Sequence, residues 1–404
     1  MGKAVRTRRR AGARAAGALA LAAGLAACSS PADTGSSGAA GGGADACAGQ
    51  ELPESVRIMN IRALTGPVSF AGLNAQKGID LALAEIEADG LLEGTTIELD
   101  TRDSSTSPQE AASFASQAIA DDSYVAILGP EASAQSTAVS PIAQSSGIPV
   151  VYVQSGSEGV LTGDFTYRLT PPAESYFDIV GPWLAEQGIG TASVLFNTGN
   201  PTLAELGQTT VPAVAQEQGI EILSSGGVDL TAQDFTTPAS QIAGENPDAA
   251  FLMLQGPQYP VAITQLRQAG FQGDIIGMSA AGAGNLAPAG QTAAGTLWPA
   301  NYAATQDAES TQEFVTAFGE ANDGETPNNY AAEAYDAMWF LARGLAEAGC
   351  ADRAALQQGL EAVAEEGFAG AQGEITFEDN DARVPGVLIQ WDGAQEVVVP
   401  TPGA

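Results

Sequence analysis

The chain contains no histidine. That absence removes Ser-His-Asp and Cys-His catalysis, histidine metal sites and the commonest general base near neutral pH. Cations are scarce as well: 15 Lys and Arg stand against 48 Asp and Glu, for a formal net charge of -33. Nucleic acid is excluded as a partner on that ground, because a phosphate backbone is bound by clustered Lys and Arg. Lys77 is the single lysine beyond the N-terminal leader and no Walker A sequence occurs, so any coupling to ATP belongs to a partner. Cysteine appears three times, as Cys28, Cys47 and Cys350, with no Cys-x-x-Cys pair of the zinc-binding kind. Asp100, Asp103, Asp121 and Asp122 lack the spacing of a calcium loop. The expectation is a protein with no metal, no cofactor and no catalytic residue.

What is present begins with a leader in three parts. A basic run (Lys3, Arg6, Arg8, Arg9, Arg10, Arg14) precedes an apolar stretch rich in Ala and Gly, which ends in small residues at about Ala27. The stretch barely reaches the roughly 18 to 20 strongly apolar residues of a membrane-spanning helix, so residues 1–27 read as a secretory signal peptide. Its end, Leu25-Ala26-Ala27-Cys28, resembles the lipobox of bacterial lipoproteins. That likeness implies cleavage before Cys28 and a lipid on its thiol, anchoring the protein to the outer face of the cell membrane. Loss of the six leader cations takes the formal charge from -33 to -39, which suits solubility outside the cell. Residues 28–50 hold almost nothing large and apolar and read as a flexible Gly/Ser/Ala tether. The remaining stretch, about 350 residues, exceeds what one core usually serves, so two lobes are expected. In an oxidising exterior Cys47 and Cys350 are expected to pair.

Along the folded part, strand-like runs rich in Val, Ile and aromatics alternate with helical stretches. Val56 to Ala63 precedes a helix over Ala75 to Ala88, Thr96 to Thr101 a helix over Pro108 to Ala120, and Tyr124 to Leu128 a helix over Ala134 to Gln144. Ile148 to Tyr152 adds a strand. After Phe165 to Leu169 and Pro171-Pro172 the alternation restarts and runs to a strand at Asp274 to Met278. Such alternation predicts parallel sheets covered on both faces. Thr311 to Leu360 reads as two or three helices. Tyr330, Ala334, Tyr335, Met338, Leu341 and Leu345 form the core stripe of one of them, and short antiparallel strands follow around the turn Asp392-Gly393.

Five segments then resemble one family in order: Val68-Ser69-Phe70-Ala71-Gly72, Ile127-Leu128-Gly129-Pro130, Gly147-Ile148-Pro149-Val150, Tyr330 through Ala337, and Gly373-Glu374-Ile375-Thr376-Phe377. They are similar to the leucine/isoleucine/valine-binding group of periplasmic-type solute-binding proteins, the extracytoplasmic receptors of ABC importers. The resemblance implies an α/β type 1 periplasmic binding protein fold: two doubly wound parallel-sheet lobes joined by a three-strand hinge. Lobe 1 would comprise 51–171 and 300–377, and lobe 2 would comprise 172–299 and 378–400. The crossovers would fall near Thr170 to Ala173, Trp298 to Ala300 and Phe377 to Asp379. A small solute would sit between the lobes, to be handed to a membrane permease.

In the family, hydroxyls and backbone N–H groups after the third and fourth strands hold the ligand's carboxylate. Those loops correspond here to Ala132 and Ser133, and to Ser155, Gly156 and Ser157. The chemistry is apt, since a helix start offers free N–H groups with partial positive charge. Phe70 is placed in the loop after the first strand as an apolar wall. On the second lobe, Asn197, Asn200, Gln255 and Ser279 fall where the family offers aromatics and an acid that holds the ligand's ammonium. No carboxylate appears there, so a branched-chain amino acid is less secure as the solute than a carboxylate or amide in general. Glu131 and Glu158 are the substitutes at hand, with solvated surface the expected place of both. Gly282-Ala283-Gly284-Asn285-Leu286-Ala287 matches a dinucleotide fingerprint but lacks the acid that should follow it. Two other functions stay open: a sensor lobe reporting to a receptor, and an exported hydrolase using a carboxylate pair.

Overall fold

The computed structural model describes residues 47, 50–66, 68–282 and 284–401. The leader, Cys28 and the tether as far as residue 46 lie outside the described residues. Strand and helix alternate from the start. β1 (Ser55–Arg62) is followed by α1 (Ser69–Asp89), β2 (Thr96–Asp103) by α2 (Pro108–Ala120), and β3 (Tyr124–Leu128) by α3 (Ser133–Ser146). β4 (Val150–Tyr152) and β5 (Thr166–Arg168) complete this run. Ser107 caps α2 by accepting the Glu110 N–H, and Pro108 takes the first turn, where a missing N–H costs nothing.

The second run begins with α4 (Val180–Gln187). It continues through β6 (Thr191–Asn197), α5 (Pro201–Glu205), α6 (Val211–Glu217), β7 (Glu221–Val228), α7 (Thr236–Glu245), β8 (Ala249–Met253), α8 (Tyr259–Gln268), β9 (Asp274–Ile276) and β10 (Leu297–Ala300). Three helices follow, α9 (Glu309–Ala321), α10 (Asn329–Ala348) and α11 (Arg353–Glu366). β11 (Phe368–Gly370), β12 (Gly373–Glu378) and β13 (Asp381–Arg383) come next, then β14 (Val387–Trp391) and β15 (Glu396–Val399).

The strands form two sheets, ordered β11-β12-β13-β5-β4-β3-β1-β2 and β15-β14-β10-β9-β8-β6-β7. Within β1–β5 and β6–β10 the pairs are parallel, and every antiparallel pair includes at least one of the late strands β11 to β15. Parallel strands need crossover helices, which bury both faces of the sheet. Met59, Ile61, Ile127, Val150 and Tyr152 accordingly pack with Ala111, Ala115 and Val139 of α2 and α3. Ile58, Ala126, Leu128 and Val151 on the other face pack with Ala75 and Ile79 of α1 and with Ala334, Met338 and Leu341 of α10. Gly78 lets α1 and α10 touch, because a Cβ there would strike the Ala331 carbonyl.

The chain passes between sheets after Arg168, after Ala300 and after Arg383. At the third, β13 still belongs to the first sheet: its Asp381 pairs with Arg168 of β5, beyond the expected crossover at Phe377 to Asp379. The cause is an ion pair made through both ends of each group, Arg168 Nε to Asp381 Oδ1 at 2.5 Å and Nη2 to Oδ2 at 2.8 Å. Residue 378 is therefore too early for the lobe boundary.

Cys47 and Cys350 form a disulfide, with Cα atoms 5.8 Å apart across 303 residues of sequence. The chain-entropy account gives such a long loop roughly 5 kcal/mol as an upper value. Denaturant unfolding with and without reductant is expected to show a loss of stability of up to about that size; coincident curves would mean that the bridge contributes nothing.

Candidate functional site

A cavity of about 220 Å3 lies where the carboxyl ends of the two sheets face each other. Its lining segments follow strands in turn: Phe70 after β1, Thr106 after β2, Glu131 to Ala134 after β3, and Gln154 and Gly156 after β4. Asn200 and Thr202 line it after β6, Leu230 after β7, Gln255 after β8 and Ser279 after β9. Such crevices form because a parallel strand ends in a loop whose polar groups the sheet cannot satisfy.

Hydroxyls join the two sides. Ser133 Oγ lies 3.0 Å from Thr202 Oγ1, Ser157 Oγ lies 2.8 Å from the same atom, and the Ser157 N–H donates to Ser133 Oγ at 3.2 Å. Ala132 precedes α3 as its cap residue and its carbonyl accepts the N–H groups of Gln135 and Ser136, so in the first turn it is the N–H groups of Ser133 and Ala134 that have no helical carbonyl to meet. Gly156 allows the close approach, since a Cβ there would meet Ala173 Cβ at 3.1 Å and Thr202 Cγ2 at 3.4 Å. The loop carrying it is held from behind by Arg168, whose Nη1 donates to the carbonyls of Ser155 at 2.6 Å and Ser157 at 2.8 Å.

Of the residues singled out from sequence, Ala132, Ser133, Gly156, Phe70, Asn200, Gln255 and Ser279 line the cavity, and Ser157 reaches its rim through Thr202. Ser155 does not line it. Its hydroxyl turns inward to Ser136 Oγ at 2.6 Å and to the carbonyls of Pro130 and Glu131. Asn197 does not line it either. Its carbonyl oxygen accepts the N–H groups of Gly199 and Asn200 and its amide donates to Gln258, so it builds the loop on which Asn200 sits. Phe70 belongs to the first turn of α1, not to a loop, and meets Tyr330 edge to face at 4.9 Å. Asn200 also caps α5, accepting the Leu203 N–H at 3.3 Å.

The acids depart most from expectation. Glu158 is exposed, as read from sequence, but Glu131 is buried. Its Oε1 pairs with Arg62 Nη1 at 2.9 Å and its Oε2 accepts the Ala63 N–H at 3.0 Å. Arg62 is wholly buried, and desolvation pulls its pKa down against the pull of Glu131. Sequence reasoning missed Glu333, which lines the cavity from α10 at 1% exposure. It accepts from Thr170 Oγ1 at 2.6 Å, Asn301 Nδ2 at 2.7 Å, Asn329 Nδ2 at 3.3 Å and the Gln154 amide. Asp336, three residues on, accepts the N–H groups of Ala371 and Gln372 and the Gln372 amide. Burial pushes both carboxyls up to about 7. An acid on the buried face of an otherwise apolar helix was the available clue to each.

The family model described as periplasmic binding protein matches residues 55–395. The chain belongs to the periplasmic binding protein family. It is 21% identical over 313 residues to the leucine-, isoleucine-, valine-, threonine- and alanine-binding protein of Pseudomonas aeruginosa, covering 76% of this chain and 83% of that one. A leucine binding protein from Thermotoga maritima superposes with a TM-score of 0.77 at 26% identity, over 86% of this chain and 98% of that one. A solute binding protein of an ABC transporter from R. palustris, solved with benzoate, gives 0.76 at 18% identity over 86% and 96%, a likeness of fold alone. The fold is that of the type 1 periplasmic binding proteins, and the family is one of solute binders, not enzymes.

The two buried carboxyls of the family member make a pH prediction. Each has its folded-state pKa raised above the ordinary unfolded value, so the folded form holds a proton that the unfolded form has already released. Their cost to stability therefore accrues as pH rises from about 4, where the unfolded groups begin to ionise, and levels off only above the folded value of about 7. With no histidine to titrate alongside, melting at constant ionic strength should show stability falling by about 1 kcal/mol per group between about pH 6 and pH 8, and Glu333→Gln should flatten the fall. A flat profile in the unaltered protein would contradict it.

Proposed function

We propose that this chain is an extracytoplasmic solute-binding protein that captures a small carboxylate-bearing or amide-type solute, a branched-chain amino acid or a relative of one, between its lobes. The observation that carries this reading is the cavity bounded on one side by Ser133 at the start of α3 and on the other by Asn200, Thr202 and Ser279. A carboxylate there meets a hydroxyl and free N–H groups together, which suits an anion without a paired cation. The names of the P. aeruginosa and T. maritima relatives support the solute class. The lobes are taken as 51–171 with 300–383, and 172–299 with 384–400, so that the three passages act as the hinge. Lipid on Cys28 holds the protein at the outer face of the cell membrane, and the permease of an ABC importer receives the solute. No chemistry is performed on the solute.

Calorimetry on the soluble Cys28→Ser form tests this, with leucine, isoleucine, valine, aliphatic amides and benzoate as probes. One solute per chain is expected to bind. Ser133→Ala should weaken it by roughly 1.5 to 3 kcal/mol, about tenfold to a hundredfold, as for a hydrogen bond to a charged group. Absence of binding by every probe would overturn the solute class, and unchanged affinity in Ser133→Ala would displace the site.

A further inference from the structure

Two carboxylates face the cavity, and their electrostatic circumstances differ. Glu131 already has its counter-charge in the buried Arg62. Glu333 is as deeply buried, yet among the described residues no Lys or Arg lies within ion-pair distance of it. Its two oxygens receive Thr170, Asn301, Asn329 and Gln154, all neutral donors. Four donors converging on one carboxyl favour its anion, while burial works against it. The fold has thus built a hydrogen-bonded cradle for a carboxylate and left it without a counter-charge at the wall of a cavity.

The other lining groups do not supply the compensation. Asn200, Thr202, Gln255 and Ser279 are neutral, and the neighbouring Tyr176 and Tyr330 are phenols whose pKa burial pushes further up, so they stay uncharged near neutral pH. Arg168 is engaged by Asp381 and by the carbonyls of Ser155 and Ser157.

We infer that Glu333 receives a cationic group of the bound solute, the ammonium in the case of an amino acid, from the hinge side of the cavity and not from a loop of the second sheet. The inference rests on the reading of this cavity as an amino-acid site. It resolves the missing acid after β9: the counter-charge comes from α10. It also ties the solute to the hinge, because Glu333 is bonded to Thr170 in the first passage between sheets and to Asn301 in the second. A cation docked on Glu333 draws on the same carboxylate that links these two passages.

Three probes of one shape separate the charges: leucine, 4-methylpentanoate, which lacks the ammonium, and 3-methylbutylamine, which lacks the carboxylate. In the Cys28→Ser protein, leucine is expected to bind at least about tenfold more tightly than 4-methylpentanoate. Glu333→Gln should weaken leucine by about thirtyfold or more and leave 4-methylpentanoate within about threefold, whereas Ser133→Ala should weaken both acids. Calorimetry near pH 7 in buffers of different ionisation enthalpy should show leucine releasing a fraction of a proton as Glu333 becomes fully ionised, and 4-methylpentanoate releasing none. This last comparison needs no variant, so it stands even if Glu333→Gln does not fold. Equal binding of leucine and its des-amino analogue with no proton release, or equal losses for both in Glu333→Gln, would overturn the inference while leaving the proposed function intact. Failure of all three probes to bind would remove the solute class itself.

Discussion

The carboxyl end of a parallel strand is where the chain must turn into a helix, and the polar groups of that turn have no ladder to join. In this protein two sets of such turns face one another, so their unmet hydrogen-bonding capacity collects in a single gap. Much of what surrounds the cavity follows from that constraint. Ser133 and Asn200 open helices there, Gly156 permits close approach, and Thr202 bridges the two sides through hydroxyls. The inner faces of the sheets are apolar and ordinary.

The passages between the sheets carry a second kind of demand. Residues there leave the protection of a sheet while still buried, and their polar groups are met by side chains. Glu333 and Asp336 on α10, together with Asn301 and Gln372, form one hydrogen-bonded cluster that reaches Thr170 and the Leu169 carbonyl. Burying two carboxyls this way costs energy, and four or three neutral donors offset only part of it. An apolar residue at either position would avoid that cost but would orphan the buried donors now met there, the Ala371 and Gln372 N–H groups among them.

How much of this could be read beforehand depended on the range of the interaction. Pro108–Ala120 is a helix with the same bounds in sequence and structure, because its start signals are local. α1 begins at Ser69, earlier than Ala75, since Gly72 looks like a poor helix residue until Ala63 is seen packed against it. β10, β11 and β13 are three or four residues long, too short for a periodic pattern. In the site, the strand-end loops were legible, but which hydroxyl turns inward was not: Ser155 and Ser157 are two residues apart and only the latter approaches Thr202. The Arg62 to Glu131 pair joins positions 69 residues apart, and nothing local announces it.

The disulfide decides how this body would answer a pull. Tension arriving along the N-terminal segment enters at Cys47 and can cross at once to Cys350, just beyond the end of α10. The load then falls on a long helix packed against α1 and the first sheet, and β1 is spared from being peeled out from between β2 and β3.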